Sequence, residues 1–268
     1  MNAIILGNGG FGRAIAAALV GRGEPEPRLL GRPVGGRHAP TDIVGEAGGP
    51  SIVFDASRGS AVQGNVEAAL DAGVRRFVIG TTAWEDSRSA VERALRRHGA
   101  AAVAASNLSL GVALFGRLVD RAVELFGPID AFDPYIVEWH RRTKADRPSG
   151  TAKELSRRIL AAHPRKTRLA DPHAEGSPAP DELDVAVVRA GGNPGSHLVG
   201  FDAAGESVEL RIVARDRSAY ALGALAAADW LVAAPRSPGL HSFDEVVDDV
   251  LGTSTSSPSR PVLVALPG

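Results

Sequence analysis

The densest chemistry in the chain lies between Glu138 and Thr151, which reads Glu138-Trp139-His140-Arg141-Arg142-Thr143-Lys144-Ala145-Asp146-Arg147-Pro148-Ser149-Gly150-Thr151. One imidazole and four cationic side chains stand ahead of a Pro-Ser-Gly-Thr turn that opens a helix. Hydroxyls and N–H groups at a helix start bind carboxylates well. A lysine and a histidine close by supply cationic contacts and a proton. The chemistry is that of a site for an anionic substrate beside an acid. The alternative is a solvated basic loop; the Ser-Gly-Thr helix start is what sets this run apart from an ordinary one.

A second pattern lies near the N-terminus. Gly7-Asn8-Gly9-Gly10-Phe11-Gly12 follows the apolar run Ala3–Leu6 and precedes an Ala-rich stretch, Arg13–Val20. In such a strand–turn–helix the first glycine makes the tight turn. The second lets the backbone approach a pyrophosphate, and the third lets helix and strand touch. The other reading is a glycine turn with no ligand. An NAD-type site places Asp or Glu at the end of the second strand. Here that place reads Leu29-Leu30-Gly31-Arg32, with Arg37 nearby and no carboxylate. Arg32 suits a 2′-phosphate, so NADPH is favoured over NADH. A solvated Arg32 is the competing explanation. Together the two sites suggest a reductase: hydride from a nicotinamide, with a carboxylated acceptor and a proton from the second site.

The elements that must position these residues follow from periodicity. Arg28–Leu30, Ser51–Ala56, Arg76–Ile79 and Ala101–Ala105 read as further strands, separated by helical stretches at Asn65–Ala72 and Ser87–His98. This alternation predicts an α/β, doubly wound parallel sheet. Near residue 108 the pattern changes to α+β. Leu110–Phe126 is helical, Ala131–Trp139 strand-like, and His140–Gly150 a polar loop. Thr151–Ala162 is helical, with Ser149 or Thr151 as cap. Arg165–Pro180 reads as loop. Three β runs follow, at Leu183–Arg189, His197–Asp202 and Ser207–Ala214, then helices at Ala219–Leu231 and Phe243–Leu251. The change marks a domain boundary near residue 108; periodicity alone leaves open whether the last helices return to the first domain, and 252–268 reads as a Ser/Thr/Pro-rich tail.

Composition narrows the function classes. The 268 residues carry a net charge of −1 and no cysteine. That excludes disulfides and thiolate chemistry and gives no nucleic-acid footprint. No run is long enough to span a membrane and no signal segment is visible, so a cytoplasmic enzyme is expected. No His/Asp/Glu cluster has metal-ligand spacing, so no metal is expected. Only Lys144, Lys153 and Lys166 are lysines among 30 basic residues. Base composition accounts for this bias, yet it singles out Lys144, because arginine cannot replace a titratable ammonium. Lys153 and Lys166 read as surface residues, as do His38, His98, His163, His173 and His241. His197, at a strand start after a glycine turn, is ambiguous and can shape the site. Trp139 reads as packing.

Residues 138–152 resemble the signature E-x-H-H-R-x-K-x-D-x-P-S-G-T-A of the 4-hydroxy-tetrahydrodipicolinate reductase (dihydrodipicolinate reductase) family. Gly7–Arg13, Asp55–Arg58, Gly80-Thr81-Thr82, Ser106–Val112, Val188–Gly191, Pro194–His197 and Arg217–Trp230 resemble its other motifs, so the likeness covers about residues 1–251. The resemblance implies a Rossmann-like dinucleotide-binding domain built from 1–107 with the last helices at 217–251, and a central α+β domain at 108–216 that binds substrate and assembles a homotetramer through its sheet. It places the catalytic acid at His140 and a proton-donating, substrate-holding lysine at Lys144. Ser149, Gly150 and Thr151 fall on the carboxylate-binding turn. Gly7, Gly9, Gly10, Phe11, Gly12, Gly80, Thr81, Thr82, Ser106, Asn107 and Leu108 fall on the cofactor-binding segments, and Arg32 near the adenosine phosphate. The implied activity is NAD(P)H-dependent reduction of a small cyclic dicarboxylate in lysine and diaminopimelate biosynthesis.

The chain departs from the pattern at the family's second histidine, which is Arg141 here. Arg141 adds charge for substrate but cannot act as an acid. Thr143 and Ile212 replace other histidines common in the family. Two further readings therefore stand beside the first: a paralogue acting on a related cyclic imine dicarboxylate, and a non-catalytic NADPH-binding regulator on the same fold.

Overall fold

The structure is a computed structural model that describes residues 1–33, 38–44, 49 and 51–252. The chain divides into two compact units, one of Met1–Leu110 with Arg217–Gly268, the other of Gly111–Asp216. Arg37 and positions 253–268 lie outside the described residues.

The first unit begins with β1 (Ala3–Leu6), α1 (Gly10–Gly21), β2 (Arg28–Leu30), α2 (Pro40–Val44), β3 (Ile52–Asp55), α3 (Val62–Asp71), β4 (Arg76–Ile79), α4 (Arg88–Arg97) and β5 (Ala101–Ala104). The second holds α5 (Leu110–Phe126, its first residue belonging to the first unit), β6 (Asp133–His140), α6 (Gly150–Ala162), β7 (Arg168–Leu169), β8 (Glu182–Arg189), β9 (Ser196–Ala203) and β10 (Glu206–Val213). The chain then returns to the first unit with α7 (Ser218–Ala233), β11 (Gly239–His241) and α8 (Phe243–Leu251).

The first unit is built on a parallel sheet in the order β2-β1-β3-β4-β5-β11. Its central strands are buried throughout, as a sheet covered on both faces requires. Ile4, Leu6, Val53, Phe77 and Ile79 pack with Val66 and Leu70 of α3 and Val91 and Leu95 of α4. On the other side α7 lies against α1, β4 and β5. From β1 the chain passes to β2 on one side, then to β3 on the other. The glycine turn after β1 thus sits at the topological switch point, where doubly wound sheets bind ligands.

The second unit is a mixed sheet in the order β10-β9-β6-β8-β7. Its inner face packs Ile136, Leu183, Val199 and Phe201 against Phe115, Val119 and Val123 of α5 and Leu155 and Ile159 of α6. The opposite face carries a row set by strand register: Val188, Trp139, Ser196 and Val213. Trp139, Val188 and Val213 in that row are exposed.

Several sequence readings are corrected. His140 is the last residue of β6 rather than loop. The stretch 165–180 contains β7, and α2 and β11 carry no clear periodicity because each is five residues or fewer. His38 and His163 are buried, and Lys166 is buried in an ion pair with Asp133. The His163 ring accepts the N–H groups of Arg165 and Lys166 through Nδ1, so it closes the chain turn after α6. Trp139 stands on the exposed sheet face, its indole N–H donating to the Ala190 carbonyl at 2.9 Å.

Gly223 lets α7 approach the segment after β5: a Cβ there would stand 1.6 Å from the Leu108 carbonyl oxygen. Gly223→Ala should therefore destabilise the protein by about 1–3 kcal/mol, the usual cost of overpacking. Urea unfolding with an unchanged m value reads this directly; wild-type stability would refute the close approach.

Candidate active site

The polar centre of the second unit is Glu138 on β6. Its inward position follows from strand alternation, which also turns Ile136 and His140 inward. Glu138 is fully buried and surrounded by donors. Arg189 of β8 reaches its Oε1 at 2.7 Å, and the Ser149 N–H donates to the same carboxylate at 3.0 Å. His197 Nε2 of β9 lies 3.5 Å from Oε2, and His140 Nε2 lies 3.7 Å from the same oxygen. Burial alone would push this carboxyl up. The hydrogen bonds from His197, Ser149 and Arg189 outweigh it and hold the pKa at about 2.

The three side chains Glu138, His140 and His197 each bring one possible metal-ligand atom within 4.8 Å of the others. Sequence spacing did not show this group, because it forms across two strands. The guanidinium and the backbone N–H already on the carboxylate make it an ion-pair hub.

His140 donates from Nδ1 to the Pro194 carbonyl at 3.0 Å, since a carbonyl only accepts. Gly195 makes room for the ring: a Cβ there would stand 2.7 Å from His140 Cε1. His140 Nε2 is buried and has no hydrogen-bond partner. Burial, then the neighbouring His197, hold the His140 pKa below the ordinary imidazole value, against the pull of Pro194 and Glu138.

Ser149 is the N-cap of α6, its Oγ accepting the Ala152 N–H at 3.1 Å and lying 3.1 Å from His197 Nε2. Gly150 and Thr151 form the first turn of α6, Gly150 exposed and Thr151 half-buried. Lys144 pairs with Asp146 at 2.8 Å, and Arg189 donates to the Asp146 carbonyl at 2.6 Å. Arg141 is exposed, with its backbone N–H bonded to the Asn193 carbonyl. His140, Lys144, Ser149, Gly150 and Thr151 thus share one neighbourhood in the second unit.

In the first unit the glycine loop has the shape a dinucleotide pyrophosphate needs. Gly7 has φ +119°, and a Cβ there would stand 2.3 Å from the Ala56 carbonyl oxygen. A Cβ on Gly12 would stand 1.9 Å from the Gly7 carbonyl oxygen, whereas one on Gly9 would meet nothing within 4 Å. No side chain caps α1 at Gly9, and first-turn N–H groups lack helical partners. These features fit the group. Phe11, Gly80 and Leu108 come together, a Cβ on Gly80 falling 2.4 Å from the Phe11 ring and 3.1 Å from Leu108 Cδ1. Asn107 closes its own turn, its side chain accepting the Ser109 N–H at 2.9 Å; Ser106 and Thr82 are exposed. Arg32 is exposed just past β2. Thr81 is buried, and its hydroxyl donates to Asp55 Oδ1 at 2.6 Å.

A match to the family model "Dihydrodipicolinate reductase, C-terminus" spans residues 111–247. The chain belongs to the dihydrodipicolinate reductase family. A 4-hydroxy-tetrahydrodipicolinate reductase of Rhodopseudomonas palustris is 34% identical, over 92% of this chain and 97% of that one. Another of the same name from Archaeoglobus fulgidus is 34% identical over 74% of this chain and 76% of its own. Among solved structures, a dipicolinate-bound dihydrodipicolinate reductase from Paenisporosarcina sp. matches with TM-score 0.66 and 18% identity, covering 90% of this chain and 97% of that one. It shares the fold.

Sequence reasoning left Glu138, Arg189, Asp55 and Arg217 without a role and His197 with an ambiguous one. Glu138 stands inside the signature, yet its partners Arg189 and His197 come from distant strands. Asp55 accepts from Ser57, Thr81 and Asn65 and so ties together the loops after β3 and β4 and helix α3. Arg217 lies against the glycine loop: a Cβ on Gly10 would stand 2.5 Å from its Nη1. Its signal was its place in the family's final motif. If the loop works as its shape suggests, Gly12→Ala, by driving a methyl into the Gly7 carbonyl, should weaken NADPH binding by at least about tenfold. Fluorescence titration with NADPH measures it, and undiminished affinity would contradict the assignment.

Proposed function

We propose that this protein reduces 4-hydroxy-tetrahydrodipicolinate to tetrahydrodipicolinate with NADPH or NADH, in lysine and diaminopimelate biosynthesis. What supports the reading most is the grouping of His140, Lys144 and the Ser149 turn around one buried carboxylate, in a chain of this family. In the reaction the 4-hydroxy ring loses water, hydride adds to the resulting conjugated imine, electrons move toward the ring nitrogen, and the adjacent carbon takes a proton. The nicotinamide cofactor, when bound, supplies the hydride. Ser149, Gly150 and Thr151 grip a substrate carboxylate through the start of α6. Arg141 and Lys144 balance the substrate's negative charge. His140, held by Pro194 at Nδ1, delivers the proton, with Lys144 as the second proton donor.

On the cofactor side, Gly7, Gly9, Gly10, Phe11 and Gly12 would receive the pyrophosphate, flanked by Arg217. Gly80, Thr81, Thr82, Ser106, Asn107 and Leu108 would line the remainder. Thr81 would contribute its backbone there, because its hydroxyl is committed to Asp55. Arg32 would meet a 2′-phosphate, which favours NADPH. We assign residues 1–107 with 217–251 to cofactor binding, 108–216 to substrate binding and assembly, and 252–268 to a tail. We place the protein in the cytoplasm as a homotetramer; the exposed row of Trp139, Val188 and Val213 supports assembly through that sheet face. Arg141, with Thr143, favours the paralogue reading, since Arg141 would recognise charge where the family carries a titratable ring.

The decisive assay is NADPH and NADH oxidation with the condensation product of pyruvate and aspartate semialdehyde. Turnover is expected with both, and its absence would reject the proposal. His140→Gln should lower kcat by about a hundredfold or more, with NADPH affinity retained. Because burial depresses the His140 pKa, kcat/KM should fall as pH rises through a value below 6.5. Replacing Arg32 by Ala should reduce the NADPH/NADH preference in kcat/KM by about tenfold; an unchanged ratio would clear Arg32 of that role.

A further inference from the structure

We propose that Glu138 is a positioning residue for the proton donor: its Oε2, faced by both His140 and His197, is the counter-charge that lets His140 carry a proton, and His197 opposes it. The inference rests on His140 being the acid of the proposed reaction. Three observations converge. His140 Nε2 and His197 Nε2 approach the same carboxylate oxygen, at 3.7 and 3.5 Å. The two rings meet edge to face with centroids 5.2 Å apart. His140 Nε2 is a buried polar atom with no hydrogen-bond partner, so a proton on it has no acceptor within hydrogen-bond distance and is balanced by the Oε2 charge 3.7 Å away.

The charged groups around His140 come from every neighbouring element. Glu138 stands two residues away on β6, and His197 faces it from β9. Lys144 adds positive charge from the β6–α6 loop. Arg189 of β8 and Asp146 act one step removed, Arg189 on Glu138 and Asp146 on Lys144. Glu138 is the sole anion in direct reach of the ring among these, and His197 and Lys144 act against it. Positive charge on either neighbour disfavours a proton on His140. Ser149 joins the arrangement, its N–H on Glu138 and its hydroxyl beside His197. The acid and the carboxylate-gripping turn therefore hang on the same side chain.

Opposite signs make the test specific. Glu138→Gln removes the anion, so the His140 titration midpoint should move to lower pH by at least about half a unit. His197→Asn removes the opposing imidazole and should move it to higher pH. NMR titration of the His140 Cε1 proton in the full-length protein without substrate reads both, with His140→Gln fixing the resonance. The basic limb of kcat/KM should follow in each variant, with kcat of Glu138→Gln down about tenfold. NADPH affinity should stay at wild-type, and Glu138→Asp, which keeps the charge, should restore part of the loss. A merely structural Glu138 would not move the two midpoints in opposite directions. Unmoved midpoints, or shifts of the same sign, overturn the proposal. Should Glu138→Gln fail to fold, His197→Asn decides: an upward shift supports it, and none or a downward one rejects it. The expected NMR shifts in a protein that does not turn over the proposed substrate would fault the functional reading instead.

Discussion

The second unit depends on one buried charge. A carboxylate with no solvent contact is tolerated only if donors replace the water it has lost. Glu138 obtains them from three directions. Arg189 comes from the strand on one side, His197 from the strand on the other, and the Ser149 N–H from the turn that opens α6. A single side chain thereby fixes the distance between three strands and a helix start. Removing it would strand a guanidinium that is itself almost fully buried. Hydrophobic packing under the sheet sets how α5 and α6 lie; the ion-pair hub sets where the ends of the strands and the polar turn must be.

The first unit solves a parallel problem with a neutral-donor network. Asp55, at the end of β3, is 1% exposed and accepts from Ser57, Thr81 and Asn65. These partners sit on the segment after β3, the segment after β4, and α3. The glycine turn after β1 is fitted to the same region by contact, since Gly7 lies against the Ala56 carbonyl. Loops at the carboxyl ends of parallel strands have few backbone partners of their own. A short polar side chain at the strand end is an economical way to hold several of them in register, and it explains why Thr81 is buried while Thr82 is exposed.

What the sequence disclosed, and what it hid, follows the range of the interactions. The glycine turn, the apolar strand runs and a helix cap at Ser149 or Thr151 each leave a mark in residue type and spacing within a few residues, and could be read from it. The strand at 239–241 could not, because three residues carry no period and it is defined by pairing with β5, far away in sequence. Glu138 was visible as a letter of a motif, yet its role required Arg189 and His197, each about fifty or more residues distant. Lys166 and His163 were misread for a related reason. A basic side chain followed by polar residues looks solvated until a fold supplies Asp133 or an unpaired turn of backbone. Tertiary partners override local polarity wherever a buried group finds its complement.

The few lysines gain a physical meaning in this setting. Arg189 bridges Glu138 Oε1 and the Asp146 carbonyl through one Nη2, while Lys144 pairs with the Asp146 carboxylate. A chain of contacts therefore runs from His140 through Glu138, Arg189 and Asp146 to Lys144. The two groups able to release a proton stand at its ends, and the cation at its centre cannot release one. A guanidinium suits the middle because its several donors join two partners and stay charged throughout. An ammonium suits the end because it can exchange a proton there. In a chain whose default cation is arginine, the one lysine of the signature lies where the proposed reaction asks for a second proton donor, a role a permanent charge could not fill.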